Sequence, residues 1–299
     1  MKTRFNFIIL IIILGLFGCT QAPFVPPPPL PTNTLIFPSA TPEPQATIEP
    51  TITNTLIIPS ATPEPQATIA PTITSRQLNY VALGDSIPGC WGVGLDCFPN
   101  YFADYLQQDL GKEVHLQNLA ITGDRTSHLL DHLQNDAKYR QAVADANVIT
   151  IWIGVNDLPT PQLLYKDGLC GGEDNLNCVR KSVSETNENI DRILDEILAL
   201  NTTEDTRIMI ADNAIPQSFV EDWKNHGCFD VLKREIYGAM QEHLIKAASQ
   251  RGIIIVSTFQ VINGPLGDQE SANLYIKDKL HFNKEGHRLI ADIHRETWQ

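Results

Sequence analysis

Ser86, Asp278 and His281 are the residues of this chain whose types could make a reactive nucleophile. Ser86 ends the run Tyr80-Val81-Ala82-Leu83-Gly84-Asp85-Ser86, and the other two belong to Asp278-Lys279-Leu280-His281 near the far end. A serine hydroxyl is a weak nucleophile until an imidazole takes its proton, and the imidazole works best when a carboxylate fixes its tautomer. Two further residues could steady developing negative charge. Gly123 closes Asn118-Leu119-Ala120-Ile121-Thr122-Gly123, where bare backbone can approach a ligand, and Asn156 in Gly154-Val155-Asn156-Asp157 offers a carboxamide NH2. Singly, each has an ordinary explanation: turns for Asp85, Ser86 and Gly123, an Asx-turn for Asn156, a surface ion link for Asp278 and His281.

Apolar, β-branched runs that must present these residues occur at Val81 to Leu83, Val114 to Leu119, Val148 to Ile153, Arg207 to Ala211 and Ile253 to Thr258. Amphipathic helical patterns separate them: Asn100 to Leu110, Thr126 to Gln134, Asn177 to Leu200, Phe229 to Ser249, and a last helix capped by Asn283. Strands that are hydrophobic almost throughout, alternating with helices, predict a five-stranded parallel sheet covered on both faces. Ligands then bind beyond the carboxyl ends of the strands, where Ser86, Gly123 and Asn156 all fall.

Taken together, the blocks around Ser86, Gly123, Asn156 and Asp278/His281, with the tail Asn283-Lys284-Glu285-Gly286-His287, closely resemble those of the SGNH, or GDSL-type, hydrolase superfamily. The resemblance spans Asn79 to about Ile293. It implies a flavodoxin-like three-layer α/β/α sandwich, with Ser86 as nucleophile, His281 as general base and then acid, and Asp278 orienting His281. The implied oxyanion hole comprises the N–H of Ser86, the N–H of Gly123 and the amide of Asn156. It implies hydrolysis of carboxylic esters, of carbohydrate O-acetyl or lipid and short-chain acyl type, with no metal or organic cofactor. The Gly-x-Ser-x-Gly elbow of the α/β-hydrolase fold is absent from the chain. A metallophosphoesterase would need an early Asp-x-His that the chain lacks near Gly84, and a binding-only protein on the same scaffold would not need the full set.

Outside this region, Lys2 and Arg4 precede an apolar run from Phe7 to Phe17 that is short for a membrane span and reads as an export signal. It ends Leu16-Phe17-Gly18-Cys19, similar to a bacterial lipobox, so residues 1–19 are expected to be a lipoprotein-type signal with Cys19 lipidated, placing the protein outside the cytoplasm on a membrane anchor. A plain signal peptide or short anchor is the alternative. Residues 20–75 hold 14 of the 20 prolines, and the 21-residue unit from Asn33 to Thr53 recurs from Asn54 to Thr74. Such a composition buries too little apolar surface to fold alone and predicts a disordered linker, leaving 76–299 as one catalytic domain, expected to be a monomer.

The formal net charge is −13, which disfavours nucleic acid and anionic lipid surfaces as partners. In an oxidising compartment Cys90 with Cys97 and Cys170 with Cys178 would each staple a loop, leaving Cys228 over. Zinc is disfavoured by their spacing. The stapled loop carrying Trp91 and the stretch from Leu158 to Cys178 are the expected substrate walls. Trp91 itself reads equally as a platform for an acyl chain or sugar ring, or as a lid on the local core. His115, His128, His132 and His226 show no partner pattern in the sequence and read as surface or loop residues rather than ligands.

Overall fold

The computed structural model describes residues 77–299. The expected signal, Cys19 and the linker lie outside the described residues. Five parallel strands, β1 (Gln77–Gly84), β2 (Glu113–Asn118), β3 (Val148–Trp152), β4 (Arg207–Ala211) and β5 (Ile254–Val256), run in the order β2-β1-β3-β4-β5. The helices are α1 (Phe98–Leu110), α2 (Thr126–Asn135), α3 (Ala137–Ala144), α4 (Pro159–Lys166), α5 (Asn177–Leu200), α6 (Gln217–Asn225), α7 (Phe229–Leu232), α8 (Ala239–Gln250), α9 (Thr258–Asn263) and α10 (Lys284–Trp298).

Because side chains alternate across a strand, each strand supplies both faces of the sheet. Val81, Leu83, Ile149 and Ile151 pack with Leu129 and Leu133 of α2, Ile193 and Ile197 of α5 and Leu244 of α8. Tyr80, Ala82, Val148 and Trp152 point the other way, onto Phe98 and Phe102 of α1 and Ile290 of α10. All five residues of β3 are buried, as its near-continuous hydrophobicity requires at the centre of a doubly covered sheet. The α5 stripe of Val179, Val183, Ile190, Ile193, Leu194 and Ile197 repeats at three- and four-residue steps and is buried along its length. Gly111, at φ 62°, ends α1, and Asn283 caps α10 by accepting from the Gly286 N–H at 2.9 Å.

The expected elements hold with three differences. β5 is only three residues, because Thr258 turns into α9 under the hold of Asp212, whose Oδ1 accepts from Phe259 N–H at 3.0 Å and from Thr258 N–H at 2.5 Å. Phe229 to Ser249 is not one α-helix: it widens into a π-helical turn at Lys233–Gly238, between α7 and α8. The stretch from Leu158 to Cys178 is not one long loop but contains α4. Its prolines, Pro159 and Pro161, sit in the first turn of α4, where a missing N–H costs no hydrogen bond.

Both short disulfides are formed, Cys90–Cys97 and Cys170–Cys178. Cys228, which that pairing leaves over, is not a free thiol.

Candidate active site

Ser86 stands just past the end of β1, and the path of the chain there depends on Gly84. At φ 137° Gly84 adopts a backbone that side chains disfavour, and a Cβ on it would lie 1.9 Å from the Trp152 carbonyl oxygen of β3. With the strands so close, the Asp85 N–H donates to that same carbonyl at 3.1 Å. The fully buried Asp85 carboxylate then accepts from the Ile87 N–H at 3.0 Å and folds the turn that presents Ser86. The other Asp85 oxygen is buried with no partner among the described residues, and burial pushes this carboxyl up to about 7.

The imidazole reaches Ser86 from the segment before α10. Tyr275 and Phe282 form an antiparallel bridge, the Ile276 N–H donates to the His281 carbonyl at 2.9 Å, and Asn283 ties the base of the loop to the Asn273 carbonyl at 2.7 Å. His281 Nε2 lies 3.0 Å from Ser86 Oγ, and His281 Nδ1 lies 2.7 Å from Asp278 Oδ2. Asp278 Oδ1 accepts from the backbone N–H groups of Leu280 and His281, both at 2.9 Å. Partial burial would raise the Asp278 carboxyl, but the bonds from the His281 ring and these two N–H groups outweigh it and hold it below the usual carboxylate range.

Asn156 lines the same pocket as Ser86 and His281, and Gly123 precedes Asp124, whose carbonyl Asn156 holds. Among the described residues, no carbonyl accepts the N–H of Ser86 or of Gly123. Gly123 is exposed at φ 86°, with nothing within 4 Å of where a Cβ would be. Asn156 Nδ2 donates to the Asp124 carbonyl at 2.9 Å, which uses one of its two N–H groups and fixes the plane of the amide.

This side of the site rests on carboxylates the sequence did not single out. Asp157 accepts from the Thr126 N–H at 3.1 Å and the Thr126 hydroxyl at 2.9 Å, tying the start of α2 to the turn that carries Asn156. Asn189 of α5 donates to the same hydroxyl at 3.1 Å. Asp124 lies 3.5 Å from His128 Nδ1 and 3.4 Å from His132 Nε2. His128 and His132 are therefore not partnerless, and His226 lies 3.4 Å from Asp222. Burial raises the Asp124 carboxyl more than these two rings lower it. The signal was present as one helical face, His128 and His132 at a four-residue step, but its partner lies in the preceding loop.

Between His281 and Asn156, Ser86 opens on a pocket of about 20 Å³ lined by Ile87, Val155, Ala214, Pro216 and Leu280, with Trp152, Tyr275 and Phe282 at its base. Those rings interlock: Tyr275 stacks on Phe282 with centroids 4.5 Å apart, and Trp152 meets Phe282 edge-on at 6.1 Å. Among the described residues, no group of three or more His, Cys, Asp or Glu could hold a metal ion.

Solved structures share this fold. A lipase from a goat rumen metagenome is similar over 74% of this chain and 97% of its own, with 24% identity and a TM-score of 0.60. An extracellular lipase from Streptomyces rimosus matches over 74% of this chain and 99% of its own, with 16% identity and a TM-score of 0.50. A catalytic mutant of an acetylxylan esterase from Geobacillus stearothermophilus matches over 74% and 93%, at 16% identity and 0.51. Comparison with curated proteins finds no significant match. The profile of the GDSL-like lipase/acylhydrolase family matches residues 82–289, a span that takes in the end of β1, all of β2 to β5, and Ser86, Gly123, Asn156, Asp278 and His281. The chain belongs to that family, and it is an ester-hydrolysing enzyme of the SGNH type.

Proposed function

We propose that the protein is an extracytoplasmic serine esterase that hydrolyses carboxylic esters, carbohydrate O-acetyl or lipid and short-chain acyl, through an acyl-enzyme on Ser86. The observation that carries the reading is the unbroken line from Ser86 Oγ to His281 Nε2 at 3.0 Å and from His281 Nδ1 to Asp278 at 2.7 Å.

In that mechanism Ser86 Oγ bonds to the ester carbonyl carbon while His281 Nε2 takes its proton. The carbonyl oxygen becomes an oxyanion facing the N–H groups of Ser86 and Gly123 and the remaining N–H of Asn156. As the carbon–oxygen bond to the alcohol breaks, His281 returns the proton to the departing oxygen, leaving the acyl group on Ser86. Water then attacks the acyl carbon, giving its proton to His281, and the acid leaves as Ser86 is reprotonated. Asp278 keeps the Nδ1 proton in place and offsets the imidazolium charge at both stages.

A fluorophosphonate reacts only with an activated serine. It is expected to label the wild-type protein, and to leave Ser86→Ala unlabelled, folded and inactive on esters. A folded Ser86→Ala protein with undiminished turnover overturns the mechanism, and a wild-type protein that resists labelling points instead to a binding-only protein.

The cellular location is part of the proposal and is supported by Lys2 and Arg4 ahead of the apolar run that ends at Cys19. Lipidation of Cys19 would tether the enzyme to a membrane by the 20–75 segment, among substrates met outside the cytoplasm. Incorporation of labelled palmitate that disappears in Cys19→Ala, with release of the protein into the medium, is the expected result.

A further inference from the structure

Trp91 is an exposed aromatic side chain held beside the catalytic imidazole. Its ring centroid lies 5.8 Å from that of His281, at 45° between planes, and 49% of the residue is accessible to solvent. A residue that merely covered the core would be buried. The backbone that carries it is held: the Trp91 backbone N–H donates to the Ser86 carbonyl at 3.1 Å, and Cys90 next to it is bonded to Cys97 at the start of α1.

The chemistry assigns a side to this platform. His281 Nε2 must hand its proton to the departing alcohol oxygen, so the alcohol has to sit against His281. The acyl group is the part left on Ser86, next to the pocket of about 20 Å³. A single water needs about 10 to 15 Å³ measured this way, so there is room for one or two such groups before the Trp152, Tyr275 and Phe282 rings close it. Those rings are interlocked with α1 and α10, which makes widening costly.

Among the described residues, the loop that carries the indole, Cys90 to Cys97, exposes no continuous apolar band of the kind a long acyl chain would follow. Gly92 follows it, Gly94 and Asp96 lie further along the same loop, Leu95 is the one other large apolar side chain exposed there, and the adjacent His281 carries the Asp278 carboxylate. A lone apolar face with a polar rim matches a pyranose ring, apolar across its C–H face and hydroxylated round its edge. The acidic character of the chain favours a neutral one.

We propose that Trp91 is the positioning residue for the alcohol half of the substrate, and that this alcohol is a neutral sugar carrying an acetyl-sized ester. The inference rests on the esterase reading above. It is tested with three substrates: acetylated xylo-oligosaccharides, glucose pentaacetate, and ethyl acetate, whose alcohol is too small to reach the indole. Trp91→Ala is expected to raise KM for both sugar esters about tenfold, the value of one good aromatic contact of roughly 1.4 kcal/mol, with kcat within about twofold. On ethyl acetate kcat/KM should stay within about twofold of wild type, and Trp91→Tyr should restore most of the sugar-ester KM. On p-nitrophenyl esters the wild type should lose at least about tenfold in kcat/KM between acetate and hexanoate.

An equal loss on ethyl acetate and the sugar esters would show that Trp91 only supports His281, and an unchanged KM on both sugar esters would remove the platform. A preference for octanoate over acetate would replace the sugar ester with a lipid. These failures differ from failure of the esterase reading, in which the wild type hydrolyses none of the substrates and Ser86 is not labelled.

Discussion

At the scale of single residues the site divides into a chemical half and a supporting half. Asp278 does its work while partly exposed, so its effect on His281 comes from direction and proximity more than from a dry environment. Replacing Asp278 with Asn leaves the shape but permits the wrong His281 tautomer, and kcat should fall by about a hundredfold to ten-thousandfold with little change in KM. Asn156→Ala removes a donor to the oxyanion and should lower kcat about a hundredfold or more, again with KM nearly constant. Steady-state kinetics on a short-chain ester check both, and a change confined to KM would contradict either role. Ser86, Gly123 and Asn156 were legible because they lie in short motifs just past strand ends, and Asp278 and His281 because they share one short motif before the last helix. Asp124 and Asp157 were not, since their importance comes from Asn156, Thr126, His128 and His132, contacts made across the fold.

At the scale of elements, the strands declared themselves by composition and the helices by spacing, while the breaks between them depended on contacts. Nothing in Ile253 to Thr258 announces that Asp212 will seize Thr258 and end β5 early. Nothing in Phe229 to Ser249 marks the π turn either, which places Ile236 and Tyr237 in the core. Gly84 shows how narrowly β1 and β3 are fitted. In Gly84→Ala the new methyl would meet the Trp152 carbonyl at 1.9 Å in a backbone conformation alanine avoids, so a loss of about 3 kcal/mol or more is expected in denaturant melts. A variant of wild-type stability would mean that the strands can part cheaply. The Cys90–Cys97 bridge closes a loop with a sequence separation of 7. Chain-entropy reasoning for so short a loop gives about 2 to 3 kcal/mol, the expected loss in the Cys90→Ser, Cys97→Ser double variant.

The whole molecule should be acid-sensitive for a reason lodged in α10. His287 and His294 are buried on the face of that helix that meets α1, and burial pulls both rings down to about 4. His287 Nδ1 accepts the Phe98 N–H at 3.3 Å and so must be unprotonated there, and among the described residues His294 Nε2 has no acceptor for an added proton. Folded values below the unfolded 6.5 mean that the stability from keeping these rings neutral is complete above pH 6.5 and is lost as pH falls towards 4. The loss is on the order of 3 kcal/mol for each ring. Asp85, raised to about 7, acts with the opposite sign: its contribution is present below its unfolded value and is lost as pH rises through 7. Thermal unfolding should therefore move to lower temperature between pH 6.5 and 4. Neither ring should titrate above about pH 5 by NMR, and a titration near 6.5 would refute this account of α10.

The bond from the Asp85 N–H to the Trp152 carbonyl also bears on timing. It joins the nucleophile's turn to the strand that leads into Asn156, so hydroxyl and oxyanion donor ride on one rigid piece of sheet. Asp278 and His281 sit together on a separate turn of four residues, so a swing of that turn would keep the carboxylate on its imidazole while parting the imidazole from Ser86. A seam between these two pieces, opened, would idle the serine while leaving the proposed anion-binding half assembled for the next ester.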